Sequence, residues 1–389
     1  MLRKPALSAL SASNGVVFEC TARSIACSIQ QQQQRSFVAT PQRNAHITQF
    51  TKASTPALDS LLSEIRTKII LPSYLPSAQR KKIHAKRYEK ALQNDPITIE
   101  IDGEVLKFRY VNPHTSMPST SRAINSAIQQ FTTPDDFKNF KPLMEGLANA
   151  RRSFSPNFYP KLVRVFGDKG RIYDIIDAAR SVKTTNFKLG QPEVAAEVLL
   201  FTQLKAIDAD FAENETRQAL RWAEMIYEML HDESHEIKFN NLPSVPSELP
   251  LHRDPMIIMS YLHLAAQVAV RYDSESADAA DKVRKLAKDV VNLWPEGKKI
   301  RDVQPAVLYE RENKLDYLNV PSKFVALTAP LLAGLDAAIQ VLGSEPELVG
   351  KLQKRRDVLT AEIEEMRSAI QNKDDNLARG ERIYRQLYP

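Results

Sequence analysis

Beyond Ser119 the apolar residues of this chain return every three or four positions, in runs that stop sharply and in many cases restart at a proline. That spacing puts one face of a helix on a core. Proline suits the first helical turn, because the N–H it lacks had no partner there. The pattern predicts helices at Thr120–Phe131, Pro134–Ala150, Asn157–Lys169, Arg171–Thr184, Pro192–Ala209, Glu215–His231, Pro255–Tyr272, Ala277–Trp294, Pro321–Leu342, Pro346–Gln371 and Leu377–Leu387. Long loops at Asp232–Asp254 and Pro295–Val320 interrupt them. Only 11 glycines occur in 389 residues, and neither GxGxxG nor GxxxxGK[ST] is present, so the phosphate-cradling turns of nucleotide folds are excluded. The expected fold class is mainly α, an α-solenoid-like array of helical hairpins.

A small N-terminal β-hairpin module precedes this array. A helix over Thr55–Ile70 is stopped by Pro72 and Pro76. A second, over Ser77–Gln93, carries Arg80, Lys81, Lys82, Lys86, Arg87 and Lys90 against Glu89 alone, with His84 and Tyr88 between them. Pro96–Asn112 then alternates strictly around Asp102-Gly103, a dipeptide suited to two consecutive positive φ angles. Pairing across that turn places Ile97, Ile99, Ile101, Leu106, Phe108 and Tyr110 on one face and Thr98, Glu100, Lys107 and Arg109 on the other.

Charge divides the chain unevenly. Up to Ala57 six basic residues face one acid, Glu19, in a background of Ser, Ala, Thr and Gln, so five of the six net positive charges lie there. This is the composition of a mitochondrial presequence, which predicts a mature start between Ser36 and Thr55 and delivery to the matrix. A basic tail on a cytosolic protein has the same composition. Both cysteines, Cys20 and Cys27, fall in this leader, so the mature chain has no thiol for a disulfide, a zinc–thiolate site or a nucleophile. No stretch reaches about 18 consecutive apolar residues, and no transmembrane segment is expected.

One helix pair stands out. Phe158–Leu189 has Tyr159 at its entry, Leu162 and Val163 in the first helix, Gly170 at the turn and Arg171-Ile172 opening the second. It resembles a pentatricopeptide repeat, with Ile175, Val182 and Asn186 where that family usually has Ala, Met and Gly. Neighbouring pairs are similar only as degenerate pentatricopeptide- or tetratricopeptide-like units. The resemblance implies RNA binding, with Lys161 at the position that helps select a base. The family's usual residue there is small and polar, whereas lysine is suited to phosphate. More broadly the chain is similar to lineage-specific mitoribosomal proteins of fungal mitochondria, which combine basic extensions with degenerate helical repeats. That likeness implies ribosomal RNA or mitochondrial mRNA and mitoribosomal proteins as partners, and translation as the process.

Between Lys138 and Lys188, 11 basic residues face four acids, whereas Gln191–Pro250 has four basic and 12 acidic residues, so the neutral body is polarised along its length. The candidate RNA contacts are therefore Arg80, Lys81, Lys82, Lys86 and Arg87 in the basic helix, and Arg151, Arg152, Lys161, Arg164, Lys169 and Arg171 in the repeat region. Lys161 and Arg164, a turn apart, are expected on one exposed face. His231 and His235 have metal-ligand spacing, but Asp232 stands where a metalloprotease needs Glu, and a solvated helix end is expected instead. His263, in an apolar helix, is expected in the core. No catalytic, cofactor or metal set is recognised, and no small-molecule substrate is expected. A helical scaffold or assembly factor for a respiratory complex, and a matrix enzyme, remain as alternatives.

Leu352, Leu359, Ile363, Met366 and Ile370 form a seam that predicts packing of the last long helix on Pro321–Leu342, with an intermolecular coiled coil as the alternative. Beyond it, Arg379, Arg382 and Arg385 make a basic tail, with Tyr384, Leu387 and Tyr388 free for a partner. The expected division is a leader at 1–54, the basic helix and hairpin at 55–118, helical repeats at 119–294, a linker loop at 295–320 and a C-terminal helical hairpin with its tail at 321–389.

Overall fold

Pro56, Pro134, Pro192, Pro255, Pro321 and Pro346 each open an α-helix in the computed structural model, which describes residues 47–237, 245, 247–370 and 377–389. The leader through His46, part of the first long loop and the end predicted for the last long helix lie outside the described residues. From Ile47 onward the chain falls in one unit.

The helices are α1 (Pro56–Ile65), α2 (Ser77–His84), α3 (Glu89–Asn94), α4 (Thr120–Gln130), α5 (Pro134–Lys138), α6 (Phe140–Asn149), α7 (Phe158–Asp168), α8 (Ile172–Arg180), α9 (Val182–Thr185), α10 (Pro192–Ile207), α11 (Glu213–Met229), α12 (Pro255–Arg271), α13 (Ala277–Leu293), α14 (Pro321–Val341), α15 (Pro346–Ser368) and α16 (Arg379–Leu387). Several N-termini are closed by side chains. Thr133 and Asp136 form a reciprocal capping box, and Thr55, Asp254 and Ser276 each accept an N–H of the first turn. The run Pro134–Ala150, read as one helix, is two. Pro142 has no N–H to give the carbonyl of Lys138, so the helix restarts at Phe140.

Three helices, α10, α12 and α14, are buried on nearly every side, and α11, α13 and α15 pack outside them as their sequence neighbours. By length and composition α14 could cross a membrane, but it is the core helix, with α12, α15 and α16 against it. Its Gly334 sits where a Cβ would come within 2.7 Å of the Cβ of His263, so the absent side chain sets how closely α12 and α14 approach. The stretch predicted as a linker loop is packed: short 3₁₀ turns bury Ile300, Leu308, Leu315 and Leu318 in the main core. The tail also differs from expectation. Tyr384, Leu387 and Tyr388 pack on the main core, and the Tyr388 hydroxyl donates to Asp336 of α14 at 2.8 Å, because α16 folds back along α14.

The N-terminal module has its own small core. Strands β1 (Ile97–Ile101) and β2 (Glu104–Phe108) pair antiparallel with Ile97 opposite Phe108 and Ile99 opposite Leu106, and Asp102 and Gly103 take φ of 55° and 79° at the turn. The inner face packs on Ile47, Leu71, Leu75, Ile83 and Leu92. The basic segment is not one helix. Val111 donates its N–H to the carbonyl of Ile83 at 2.9 Å, taking an acceptor that a continuous helix would use, and the chain breaks at Ala85 into a 3₁₀ turn (Lys86–Tyr88) and α3.

Candidate nucleic-acid interface

In the module, Ile83 faces inward from α2, so the flanking Lys81 and Lys82 are exposed and Arg80 is half-exposed. Lys86 and Arg87 are exposed on the 3₁₀ turn that follows. None of the five makes an ion pair among the described residues. Tyr88 lies beside them, with the Arg87 guanidinium 4.8 Å and the Lys82 ammonium 5.8 Å from its ring centroid. Lys90, Lys107 and Arg109, not chosen from the sequence as contacts, are also exposed and without an ion pair among the described residues. The alternation of the hairpin already put Lys107 and Arg109 on its outer face. Because the module's core lies between α2 and the hairpin, the two sets of cations face outward from different layers.

The repeat-region candidates divide differently. Arg151 is exposed with φ +51°, Lys161 is exposed, and Arg152 has a buried Nε without a hydrogen-bond partner among the described residues. Arg164 does not share the exposure of Lys161. Its Nη1 lies 3.1 Å from Glu193 and 3.2 Å from Glu197, carboxylates of α10 that are almost wholly buried. Glu193 also holds Lys323 of α14 at 2.7 Å, and Glu197 holds Arg379 of α16 at 3.0 Å. Four helices meet at these two acids, and desolvated carboxylates need those cations.

Lys169 donates to the carbonyls of Ile128, Gln129 and Phe131 at 3.0, 2.9 and 2.7 Å, closing the C-terminus of α4. Burial pushes its ammonium below the ordinary lysine value, partly offset by Asp136. Arg171 grips Asp174 through two bonds, 2.7 and 3.1 Å, and its guanidinium lies 5.0 Å from the Phe137 ring centroid. The basic excess of Lys138–Lys188 is therefore a misleading guide to surface potential: Arg164, Lys169 and Arg171 bind the fold's own acceptors.

The histidine pair does not converge. His235 is buried and its Nδ1 accepts the N–H of Leu189, whereas the ring of His231 packs on His252. His263 is fully buried, as expected. In the tail, Arg379 is taken by Glu197 and Arg385 by Glu381, which leaves Arg382 as the cation there without an ion pair among the described residues. The arrangement can present unpaired positive charge beside an aromatic ring on the module, which suits phosphate and base contact, and an inward-directed ion network in the body.

Comparison with known proteins finds matches along nearly the whole chain. Residues 35–386 match the family model described as mitochondrial ribosomal protein mS27. The small ribosomal subunit protein mS27 of Neurospora crassa is 33% identical over 379 residues, which cover 94% of this chain and 95% of that relative.

Proposed function

This chain belongs to the mitochondrial ribosomal protein mS27 family, and from that premise we propose that it is a non-catalytic component of the small subunit of the mitochondrial ribosome, working in translation. It binds ribosomal RNA through the N-terminal module and neighbouring ribosomal proteins through the helical body. The acid-poor leader directs it to the matrix and is then removed.

The observation that carries the RNA reading is the contrast in how the cations are used. On α2 and the turn after it, Arg80, Lys81, Lys82, Lys86 and Arg87 have no carboxylate partner among the described residues, whereas Arg164, Lys169 and Arg171 are held by acceptors of the fold. A cation without a carboxylate partner can displace the counterions condensed on RNA phosphate, and one already paired gains little. Arg151 and Lys161 remain as secondary contacts. A phosphate-directed role for Lys161 fits the departure from the base-selecting residue of pentatricopeptide repeats.

The test is sedimentation of the tagged protein from mitochondrial lysate, with and without ribonuclease. Co-migration with the small ribosomal subunit that ribonuclease weakens is the expected result. Migration with a membrane complex, insensitive to ribonuclease, would replace this reading with the scaffold one.

A further inference from the structure

Ile47–Ser54 contains no helix or strand, yet it is fastened along its length. Ile47 is 2% exposed within the module's apolar cluster, while Phe50 and Ala53 pack on the main core. The carbonyl of Thr48 accepts from Arg66 Nε at 2.8 Å, and the same guanidinium holds Glu104 of β2 at 2.7 Å. Thr51 donates its N–H to Asn139 Oδ1 at 2.7 Å and accepts from Asn139 Nδ2 at 3.1 Å, so a side-chain amide pairs with it as a neighbouring strand would. Ser54 donates both its N–H and its hydroxyl to Asp136, each at 2.8 Å. Asp136 and Asn139 are fully buried at the α5–α6 corner.

We propose that Ile47–Ser54 is a strap joining the N-terminal module to the helical body, and that removal of the leader therefore stops on the N-terminal side of Ile47. The strap stands on its own contacts; the processing limit rests additionally on the mitochondrial reading. A cut beyond Thr48 would empty the place of Ile47 and remove an acceptor of Arg66. A cut beyond Ser54 would also strip donors from two buried polar side chains, and such groups are costly to leave unsatisfied. The limit narrows the start window of Ser36–Thr55 that composition alone predicts.

Hydrogen exchange on the full chain tests the strap. Thr51→Pro removes the N–H and the hydroxyl that Thr51 gives Asn139, at an exposed position, and Asn139→Ala removes the side-chain amide that pairs with Thr51. Each should raise exchange of the amides from Thr48 to Ser54 by about tenfold or more, and speed that of the hairpin, with α12 and α14 unaffected. Wild-type protection of strap and hairpin in Thr51→Pro would overturn the strap, whatever the stability of Asn139→Ala. Mass spectrometry of the organellar protein's N-terminus tests the limit separately. A first residue after the leader but no later than Ile47 is expected. One from Thr48 onward overturns the limit, and a retained Met1 overturns processing altogether while leaving the strap to the exchange result.

Discussion

His263 shows what a single buried residue does to the pH dependence of the whole fold. Its ring is fully enclosed between α10 and α12, Nδ1 faces Gln203 Oε1 at 2.9 Å, and burial pushes its pKa from 6.5 down to about 3. As pH falls below 6.5 the unfolded chain takes up a proton that the folded chain refuses. Stability present above that pH is then lost, at up to about 1.4 kcal/mol per pH unit from this group. Burial lowers His235 and His252 as well, which act with the same sign. His263→Gln should therefore flatten the fall in stability between pH 6.5 and 5, measured by denaturant unfolding at each pH, relative to the parent chain. Arg164 makes a second case. Reversal to Glu would set a third carboxylate against Glu193 and Glu197, and should cost about 2 kcal/mol or more in thermal unfolding. A value near zero would mean that the Arg164 side chain is free in solution.

At the scale of elements, the ends of helices carry the argument. The α7–α8 turn is closed by Gly170 N–H to Gly167 and Arg171 N–H to Phe166, both 2.8 Å, with Gly170 at φ +68°. The turn that the sequence placed at Gly170 is thus a left-handed helix end, where glycine is favoured. A Cβ at Gly170 would meet nothing within 4 Å, so the cost of Gly170→Val is backbone strain alone. It should be about 1 kcal/mol or more, read as a lowered midpoint in denaturant at unchanged slope. Helix α16 is docked through Glu381, which the Arg367 fork, supported by Arg385, holds at a pKa of about 2 against an ordinary 4.5. That contribution is complete above pH 4.5 and disappears as pH falls toward 2. Glu381→Gln should thus destabilise at neutral pH by roughly 2 kcal/mol, with the difference from the parent shrinking at pH 3.

For the whole molecule, the test is whether charge count or charge availability governs RNA association. Changing Lys81, Lys82, Lys86 and Arg87 together to Gln should weaken ribosomal RNA binding, and lower the salt slope by roughly 0.7 to 0.9 for each phosphate no longer neutralised, with stability nearly unchanged. Binding equal to the parent at every salt concentration would make this segment a solvated face. By itself the sequence determined the helical class, most helix starts, the hairpin register and the cations exposed on α2, because helical period, proline at first turns, Asp-Gly alternation and local charge are all short-range properties. It did not reveal which cations were free. Arg164 and Lys169 lie within a basic run, and their acceptors come from α10 and from the end of α4. The break in the basic helix came from Val111, and the return of α16 along α14 buried a tail that composition left open. Tertiary structure decided these points because pairing and burial depend on groups brought together from distant parts of the chain, which no local window contains.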